Sequence, residues 1–296
     1  MLDIISVGPG EAVLLTDDAK QAIDRADAVW CAARHAVLVP PEKARPLSPL
    51  EGAIEQMRLS SDAGQSAAVL VSGDAGLYSL LEMLKRKIGG EYLRVHPGVS
   101  ALQLFAARLG VSWQDAKILS AHGRALSESA LCHAVRTHRQ TFCFLDAAHN
   151  PAWVRESLNL GGLENVRLFV GERLSYPDER TEAYDPDATY DPLCMAYIEN
   201  DAPESGLPPV GLSDEAFIRG KTPMTKRDVR ALVVSALHLK PNGVVWDIGA
   251  GTGSVSVECA RQCPLGEVYA VEMKDEALDL IRRNAERFHA LNLRVV

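Results

Sequence analysis

Residues 247–253 form a glycine-rich turn whose composition and position suit the binding of a nucleoside. The turn reads DIGAGTG, follows an apolar strand predicted over residues 244–246, and opens a predicted helix. Glycine lets a ligand approach bare backbone, and the first turn of a helix offers N–H groups with no partner inside the helix. Glu272 closes the next predicted strand, where a carboxylate can accept hydrogen bonds from both ribose hydroxyls. The spacing predicts half of a nucleoside-binding fold; the alternative is a glycine turn without a ligand.

The glycine spacing also distinguishes between two classes of cofactor. A dinucleotide site has the pattern G-x-G-x-x-G, which this turn lacks, so a nicotinamide oxidoreductase is disfavoured. The pattern D-x-G-x-G-x-G resembles motif I of the class I methyltransferases that use S-adenosylmethionine. Thr225 opens the helix before the turn, and it either contacts the cofactor or only caps that helix. The resemblance implies further cofactor contacts at Asp247, Gly249, Gly251, Gly253 and Glu272.

Three more glycine-containing loops lie near the start of the chain, and each follows a predicted strand. They are residues 8–10, 73–76 and 97–100. In an open α/β sheet, ligands collect beyond the carboxyl ends of the strands. We therefore expect the three loops to converge on a small-molecule cleft, unless they are ordinary turns between strands and helices.

These loops resemble the signatures of the tetrapyrrole (class III) methyltransferases. Residues 7–11 read VGPGE, residues 72–78 read SGDAGLY, and residues 96–101 read HPGVSA. Ala75 stands where the family usually has proline, and the last alanine of the third phrase replaces a second serine. Asp74 has an alternative role as the N-cap of the following helix. The resemblance implies S-adenosylmethionine contacts at Pro9, Ser72, Gly73, Asp74, Leu77, Ser100 and Ala101.

Further phrases resemble one branch of that family, the bifunctional precorrin-6Y C5,15-methyltransferases (decarboxylating) of cobalamin biosynthesis. They are residues 120–124, 170–180, 211–217 and 224–230, so that the resemblance covers essentially the whole chain. It implies that the N-terminal part methylates C5 of a corrinoid ring and releases S-adenosyl-L-homocysteine. Methylation of C15 and decarboxylation of the C12 acetate would belong to a full-length C-terminal part. The alternatives are an RNA or protein acceptor for the same folds, or a C-terminal part that serves only as a binding or scaffold module.

Apolar strands alternate with amphipathic helices, which predicts an α/β protein with mostly parallel sheets. We expect a two-subdomain tetrapyrrole methylase fold over residues 1–200, divided at about residue 111, followed by the first half of a Rossmann-like class I methyltransferase sheet. Residues 201–223, rich in proline, glycine and acids, are interpreted as a linker, and residues 224–296 as the last domain. A doubly wound domain needs about twice that length, so we expect this domain to be incomplete and the chain truncated.

Composition disfavours several classes of function. The chain has 296 residues, of which 47% are hydrophobic, and a formal net charge of −8, which argues against nucleic acid as a partner. No apolar run approaches the ~20 residues that span a bilayer, and no signal peptide is apparent, so we expect a cytoplasmic protein without membrane attachment. No spacing of cysteine and histidine matches a zinc site, and no metal is expected. We expect buried, reduced thiols at Cys31, Cys132, Cys143, Cys194, Cys259 and Cys263.

The substrate that the resemblance implies carries many carboxylates, so an acidic protein should concentrate cationic side chains in its cleft. Candidate contacts in loops near the family signatures are Arg34, His35, His122, Arg124 and Arg173. We take His122 and Arg124 as the catalytic candidates, because a loop histidine can serve as an acid or a base. A structural or solvated charge is the alternative for each of them. Related methylases also imply a homo-oligomer.

Overall fold

A computed structural model describes all residues, 1–296. The chain forms two compact units. Unit one comprises residues 1–113 and 171–182, and unit two comprises residues 114–170 and 183–296. Unit two therefore combines most of the expected second subdomain with the expected C-terminal domain.

Unit one is built on a five-stranded parallel sheet with strand order β3-β2-β4-β1-β5. The strands are β1 (Leu2–Ser6), β2 (Ala28–Cys31), β3 (Ala44–Pro46), β4 (Ala67–Val71) and β5 (Leu93–His96). The helices are α1 (Asp17–Arg25), α2 (Leu50–Asp62), α3 (Leu81–Ile88) and α4 (Ala101–Leu109).

The central strands of this sheet are buried on both faces. Every residue of β1 and of β4 is buried. Because side chains alternate across a strand, Ile4 and Val69 pack in a core on one face, while Ile5 and Leu70 pack in a second core on the other. Burial on both faces explains why these strands are continuous apolar runs, as in other covered parallel sheets.

The sequence predicts a helix over residues 77–88, but the structure begins this helix later. Helix α3 starts at Leu81, and Tyr78 has a left-handed φ of 51°. An α-helix cannot contain a residue in that conformation, so residues 77–80 remain part of the loop. By contrast, the start of α1 agrees with its sequence, in which Thr16 precedes an amphipathic run: the Thr16 side chain accepts a hydrogen bond from the backbone N–H of Ala19.

The first sheet that is built mainly from unit two is mixed, with strand order β6-β7-β10-β8-β9. Strand β6 is parallel to β7, and β10 is antiparallel to β7. The strands are β6 (Lys117–Ser120), β7 (Gln140–Phe144), β8 (Arg167–Glu172), β9 (Arg180–Ala183) and β10 (Cys194–Glu199), and the helices are α5 (Glu128–Thr137) and α6 (Pro151–Leu160). The polar sequence of β9 has no apolar alternation that would predict it.

The second sheet of unit two is parallel and has three strands in the order β11-β12-β13. Its elements are α7 (Arg227–Ala236), β11 (Val244–Ile248), α8 (Ser254–Gln262), β12 (Glu267–Val271), α9 (Asp275–Arg287) and β13 (Leu293–Val295). One face, with Val245 and Val268, packs against Val257 of α8 and Ile281 of α9.

The buried side of α7 is not the apolar face that the sequence suggests. The spacing predicts burial of Val229, Leu232, Val233, Ala236 and Leu237, but the structure leaves Leu232 71% exposed and buries Arg230 and Val234. The Arg230 guanidinium forms an ion pair with Glu258 and lies over the ring of Phe217. A buried cation needs such partners, and they determine which side of the helix faces inward.

Part of the segment expected as a linker is bound to this last sheet domain. Gly211 and Leu212 donate their backbone N–H groups to Glu258, Phe217 is in the core, and the N–H of Ile218 donates to Asn284. Residues 211–218 are therefore held by buried acceptors. Each helix of the structure is too short or too polar to cross a bilayer.

Candidate functional site

The first two glycine loops of unit one are joined by their backbones. The N–H of Gly8 donates to the carbonyl of Gly73 at 3.2 Å, and the N–H of Gly73 donates to the carbonyl of Gly8 at 2.7 Å. This pair extends the contact of β1 with β4 past the ends of both strands, since the N–H of Val7 also donates to the carbonyl of Val71. The two loops therefore meet at the carboxyl edge of the sheet, as predicted.

Asp74 links the second loop to the third. One carboxylate oxygen accepts from the N–H of Gly76 at 2.8 Å, and the other accepts from the N–H of Gly98 at 3.3 Å. The alternative role of Asp74 as a helix N-cap is wrong, because α3 begins seven residues later with Leu80 at its N-cap. Its side chain holds the loops in place instead.

Gly98 allows the third loop to approach the end of β1. A Cβ atom at this position would lie 2.7 Å from Cβ of Ser6 and 2.8 Å from the Ser6 carbonyl oxygen. The Ser6 hydroxyl in turn accepts a hydrogen bond from the N–H of Ala75 at 2.9 Å. The third loop thus reaches the same place as the other two only because residue 98 has no side chain.

The remaining predicted contacts of unit one surround this junction. Ser100 is buried and caps α4, where it exchanges hydrogen bonds with Gln103, and Ala101 is the first residue of that helix. The carbonyl of Pro9 accepts a hydrogen bond from the Tyr176 hydroxyl at 3.1 Å. Leu77 is half-buried, and its N–H donates to the carbonyl of Asp74. The Ser100 hydroxyl already accepts a hydrogen bond from the N–H of Gln103, so a ligand would meet the N-terminus of the helix rather than that side chain.

Ser72 is held by two residues from the end of β2. Nη2 of Arg34 donates to the Ser72 hydroxyl at 2.6 Å, and Nε2 of His35 lies 2.8 Å from the same oxygen. Nε of Arg34 also donates to Nε2 of His35 at 3.2 Å. Burial, with the charge of Arg34, lowers the pKa of His35 to about 4, so the imidazole is neutral near pH 7. His35 is fully buried and is not placed to contact a large substrate.

Arg173, the other cationic candidate of unit one, already has an acidic partner. Its Nε lies 2.6 Å from a carboxylate oxygen of Asp178, and the guanidinium is 5.0 Å from the ring centre of Tyr176. The hydrogen bond from Arg173 lowers the pKa of the Asp178 carboxyl. Much of the charge of Arg173 is therefore compensated within the protein.

The glycine turn of unit two has left-handed backbone at each of its three glycines, with φ values of 81°, 58° and 73° at Gly249, Gly251 and Gly253. A Cβ atom at Gly249 would meet no atom within 4 Å, whereas at Gly253 it would lie 3.0 Å from Ile281. Gly253 is therefore required for the packing of α9. The exposed Gly249 has the open space that close approach of a ligand requires.

The two acidic candidates of unit two are hydrogen-bonded to nearby groups. The Glu272 carboxylate accepts from the N–H groups of Gly251, Met273 and Lys274 at 2.9, 2.8 and 3.2 Å. These bonds lower the pKa of Glu272. Asp247 lies 2.5 Å from the hydroxyl of Ser256, a residue that the sequence pattern does not single out. The ionised carboxylate of Glu272 orders the turn as well as offering lone pairs to a ribose.

The prediction that Thr225 caps a helix is wrong. The N-cap of α7 is Lys226, and no side chain bonds to the first turn there. Thr225 is exposed, and its carbonyl accepts a hydrogen bond from Nη1 of the buried Arg230 at 2.7 Å. This bond fixes the backbone at Thr225 through its carbonyl oxygen.

His122 and Arg124 lie in the exposed turn that follows β6, in unit two. The turn is closed by a hydrogen bond from the N–H of Arg124 to the carbonyl of Ala121 at 3.2 Å. The glycine loops described above belong to unit one. The catalytic role of His122 and Arg124 stays a prediction.

The thiols are buried, and burial keeps at least three of them uncharged near neutral pH. All six cysteines are free and buried, and burial raises the pKa of Cys132, Cys143 and Cys259 to about 12. A thiol with that pKa is a poor nucleophile. No group of three or more His, Cys, Asp or Glu side chains is arranged to hold a metal ion.

Two family models match the chain. One, described as Tetrapyrrole (Corrin/Porphyrin) Methylases, matches residues 1–185. The other, described as Precorrin methyltransferase domain, matches residues 215–296. The matched ranges contain the glycine loops of unit one and the glycine turn of unit two, respectively.

Curated relatives resemble the whole chain or one end of it. The chain is 32% identical to a precorrin-6Y C(5,15)-methyltransferase (decarboxylating) of Sinorhizobium sp, with 100% of this chain and 73% of that protein covered. A cobalt-precorrin-7 C(5)-methyltransferase of Salmonella typhimurium is 30% identical over 61% of this chain and 88% of its own length. A probable cobalt-precorrin-6B C(15)-methyltransferase (decarboxylating) of Pyrobaculum calidifontis is 51% identical over 26% of this chain and 41% of its own length.

Solved structures share the fold. A precorrin-6Y methylase from Archaeoglobus fulgidus has a TM-score of 0.51 at 21% identity, covering 68% of this chain and 98% of that one. A uroporphyrin-III C-methyl transferase from Thermus thermophilus, complexed with S-adenyl homocysteine, has a TM-score of 0.55 at 18% identity, covering 67% of this chain and 96% of that one. These structures confirm the tetrapyrrole methylase fold expected from the sequence.

Proposed function

The chain belongs to the tetrapyrrole methylases, in the branch of the precorrin-6Y C(5,15)-methyltransferases (decarboxylating), and on that basis we propose that it transfers a methyl group from S-adenosylmethionine to C5 of a precorrin ring. The glycine loops of unit one are the proposed cofactor site. The observation that carries the proposal is the junction at the ends of β1 and β4, where Gly8 and Gly73 bond to each other and Asp74 reaches Gly98.

The junction fits a nucleoside cofactor. A Cβ atom at Gly73 would meet no atom within 4 Å, which leaves room for close approach of a ligand to the backbone. The Ser72 hydroxyl is fixed beside it, and the N-terminus of α4 begins at Ala101. Backbone polar groups and one oriented hydroxyl suit the amino acid and ribose parts of such a ligand.

The protein residues act by orientation. When bound, S-adenosylmethionine supplies an electrophilic methyl group and leaves as the thioether S-adenosylhomocysteine. The ring carbon of the acceptor is itself the nucleophile, so the loops need only hold the two reactants in line and exclude water. The fixed positions of Ser72, Gly73 and Asp74 serve that orientation. As part of the proposal, His122 and Arg124 contact the acceptor.

We assign the glycine turn of residues 247–253 to a second methyl transfer, at C15, that accompanies decarboxylation. The open space at Gly249 and the ionised Glu272 carboxylate suit the same cofactor. Residues 224–296 are the proposed extent of this domain, and residues 1–200 the proposed extent of the other. The fit of a nucleoside in both places supports two binding sites in one chain.

Two measurements test the proposal. In the first, the chain is incubated with carbon-13 methyl-labelled S-adenosylmethionine and an enzymatically prepared precorrin, and the product is examined by mass spectrometry and NMR. We expect a labelled methyl at C5, and a second label at C15 would support the role assigned to the glycine turn of residues 247–253. Label on RNA or protein, or no transfer, would contradict the proposed acceptor. In the second, equilibrium dialysis measures cofactor stoichiometry. Two bound cofactors per chain would support both pockets. One bound cofactor per chain, with the same stoichiometry in Glu272→Gln, would mean that the C-terminal part is only a scaffold.

The role of His122 and Arg124 is tested separately. His122→Ala and Arg124→Ala should each lower the rate of product formation while cofactor binding stays unchanged, because neither residue lies in the glycine loops. Glu128→Ala, in the helix that follows the same turn, is the control and should retain the wild-type rate. Wild-type rates for the histidine and arginine variants would remove both residues from the site.

A further inference from the structure

A cavity of about 580 Å³ lies at the carboxyl ends of β2 and β3, on the same edge of the sheet as the glycine loops. Its walls include Cys31, Ala33, Ala36, Arg45, Leu47 and Leu80. Ligands of open parallel sheets bind beyond this edge, and small-molecule pockets are commonly of this size. The cavity is therefore in the place, and of the size, expected for part of a ligand.

The lining of the cavity is mostly apolar and has small side chains on one side. Ala33 and Ala36 lie on a 3-10 helix that covers Ala33–Leu38, and Leu47, Leu50 and Leu80 also line the cavity. No aspartate or glutamate lines it. An apolar space of this kind favours a flat hydrocarbon ring over a sugar or a phosphate, both of which need polar partners.

Two arginines beside the cavity have no acidic partner. Arg34, next to Ala33, donates hydrogen bonds only to Ser72 and His35, and Arg45 donates only to the carbonyls of Glu42 and Ala44. Hydrogen bonds to neutral groups fix a guanidinium without compensating its charge. Such a group can pair with a carboxylate of a ligand, with the fork geometry that arginine offers.

The neutral state of His35 explains why Arg34 is fixed. An arginine can only donate, so Nε2 of His35 must accept from Nε of Arg34. The Ser72 hydroxyl accepts from Nη2 of Arg34, and its oxygen lies 2.8 Å from the same imidazole nitrogen. The guanidinium is thereby held between the cofactor loop and the 3-10 helix that forms one wall of the cavity.

We propose that this cavity and Arg34 form a subsite for the acceptor ring: an apolar edge of a tetrapyrrole enters the cavity, and a carboxylate at its periphery pairs with Arg34. The proposal rests on the proposed function, since it names where that acceptor binds. It makes His35 a positioning residue, which acts through Arg34 and Ser72. Arg45 is placed to meet a second carboxylate.

Filling the cavity is the first test. Ala36→Phe places a ring in the cavity, whereas Val37→Phe adds the same ring one residue along the same 3-10 helix, at a position that is 85% exposed and outside the cavity. The probe is cobyrinic acid, a stable corrin polycarboxylate, and its affinity is measured by calorimetry. We expect Ala36→Phe to weaken binding about tenfold or more, and Val37→Phe to leave it unchanged.

The second test removes the charge of Arg34 and leaves the cavity lining unchanged. Arg34→Met should weaken cobyrinic acid about tenfold or more, and Arg34→Lys should restore part of the loss, because lysine keeps the charge but not the fork. Cobinamide, a corrin with amide side chains, should bind the wild type and Arg34→Met equally. Equal loss for both corrinoids would overturn the ion pair with Arg34.

The outcomes separate this subsite from the proposed function. Thermal unfolding should be unchanged in Ala36→Phe and Arg34→Met, and calorimetry with S-adenosylmethionine should be unchanged in Ala36→Phe, which leaves the contact of Arg34 with Ser72 in place. Absence of cofactor binding and of methyl transfer in the wild type would contradict the proposed function. Normal activity of the wild type, together with wild-type corrinoid affinity in both variants, would overturn the subsite alone.

Discussion

The glycine loops of unit one and the glycine turn of unit two differ in what their backbone groups bind. In unit one, Gly8 and Gly73 come from loops after two different strands and bond to each other. In unit two, the N–H of Gly249 bonds to the carbonyl of Val271, and Glu272 accepts from the turn itself. In both places several backbone N–H groups of the loops already have partners within the protein. The glycines first allow chain segments to meet, and the ligand must use what still faces outward.

The two sheets behind these loops also differ in how they are covered. Strands β1 and β4 are buried on both faces, whereas β11 exposes Val244, Trp246 and Ile248 at 64%, 60% and 72%. The Trp246 ring stacks on Tyr269 at 4.6 Å, on the same open face. An apolar face of this kind is a preferred site of association. The first site is thus built on a sheet covered on both faces, and the second on a sheet covered on one.

The largest expected effect concerns the ion pair under the second site. Arg230 and Glu258 are both fully buried, 3.1 Å apart, so Arg230→Met leaves a buried carboxylate without its cation. We expect a loss of about 3–5 kcal/mol in the free energy of unfolding of unit two. Arg283→Met breaks an exposed pair with Asp279 and should cost about 1 kcal/mol or less. Denaturant titration compares the two, and equal losses would contradict the structural role of Arg230.

A second change disrupts the first site alone. Gly98→Ala introduces a Cβ atom that would overlap Ser6, so we expect a loss of about 1–3 kcal/mol in unfolding free energy and weaker cofactor binding in unit one. Gly52→Ala, inside α2, would meet its nearest atom at 3.9 Å and should be neutral or slightly stabilising. The two variants are compared by thermal unfolding and calorimetry. Wild-type cofactor affinity in Gly98→Ala would show that the third loop is not needed.

Acidification should affect the two sites in different pH ranges. The pKa of His35 is lowered from 6.5 to about 4 in the folded protein, so the unfolded state binds the proton more readily. Stability from this group is complete above pH 6.5 and is lost as the pH falls toward 4, in total roughly 3 kcal/mol. The pKa of Glu272 is lowered below 4.5, so its contribution is lost only below that value.

Hydrogen exchange at pH 7 and pH 5 resolves this difference. After correction for the slower intrinsic exchange at pH 5, we expect lower protection factors at pH 5 than at pH 7 in β1 and β4, with those of β11 and β12 less affected. His35→Gln should flatten the pH dependence of unit one while leaving that of unit two unchanged. The prediction fails if the variant retains the wild-type pH dependence.

The smallest expected effect concerns the uncovered face of the last sheet. Trp246→Ser removes the largest exposed apolar side chain of β11, so we expect weaker self-association and little change in cofactor binding in unit one. Trp113→Ser, at an exposed tryptophan of unit one, is the control. Sedimentation velocity over a range of concentrations measures the difference. Identical association for both variants would remove this face as a site of contact between copies.

Sequence patterns located most elements because those elements depend on local spacing. The strands at residues 67–71 and 141–145 were predictable as apolar runs, and Thr16 as a cap. The start of α3 was not predictable, since it depends on the left-handed backbone of Tyr78. The buried side of α7 was also missed, because Arg230 is buried only where Glu258, in another helix, compensates its charge.

The candidate sites were also predictable only in part: the positions of the loops were, but the partners of their side chains were not. The positions of the glycine loops followed from strand ends and family resemblance. The contact of Arg34 and His35 with Ser72 did not, because more than thirty residues of chain separate them from it. Asp74 and Gly98, which are 24 residues apart, could not be paired from the sequence either. No local pattern carries information about such pairs.

The sequence alone determined the α/β class, the family, and the places where backbone had to be free of side chains, since these depend on periodicity and on residues lacking Cβ. Only the tertiary structure decided which polar groups meet: Asp74 with Gly98, Arg34 with Ser72, and Arg230 with Glu258. The physical reason is that buried donors and charges must find partners wherever chain closure brings them, and closure depends on the packing of the whole unit.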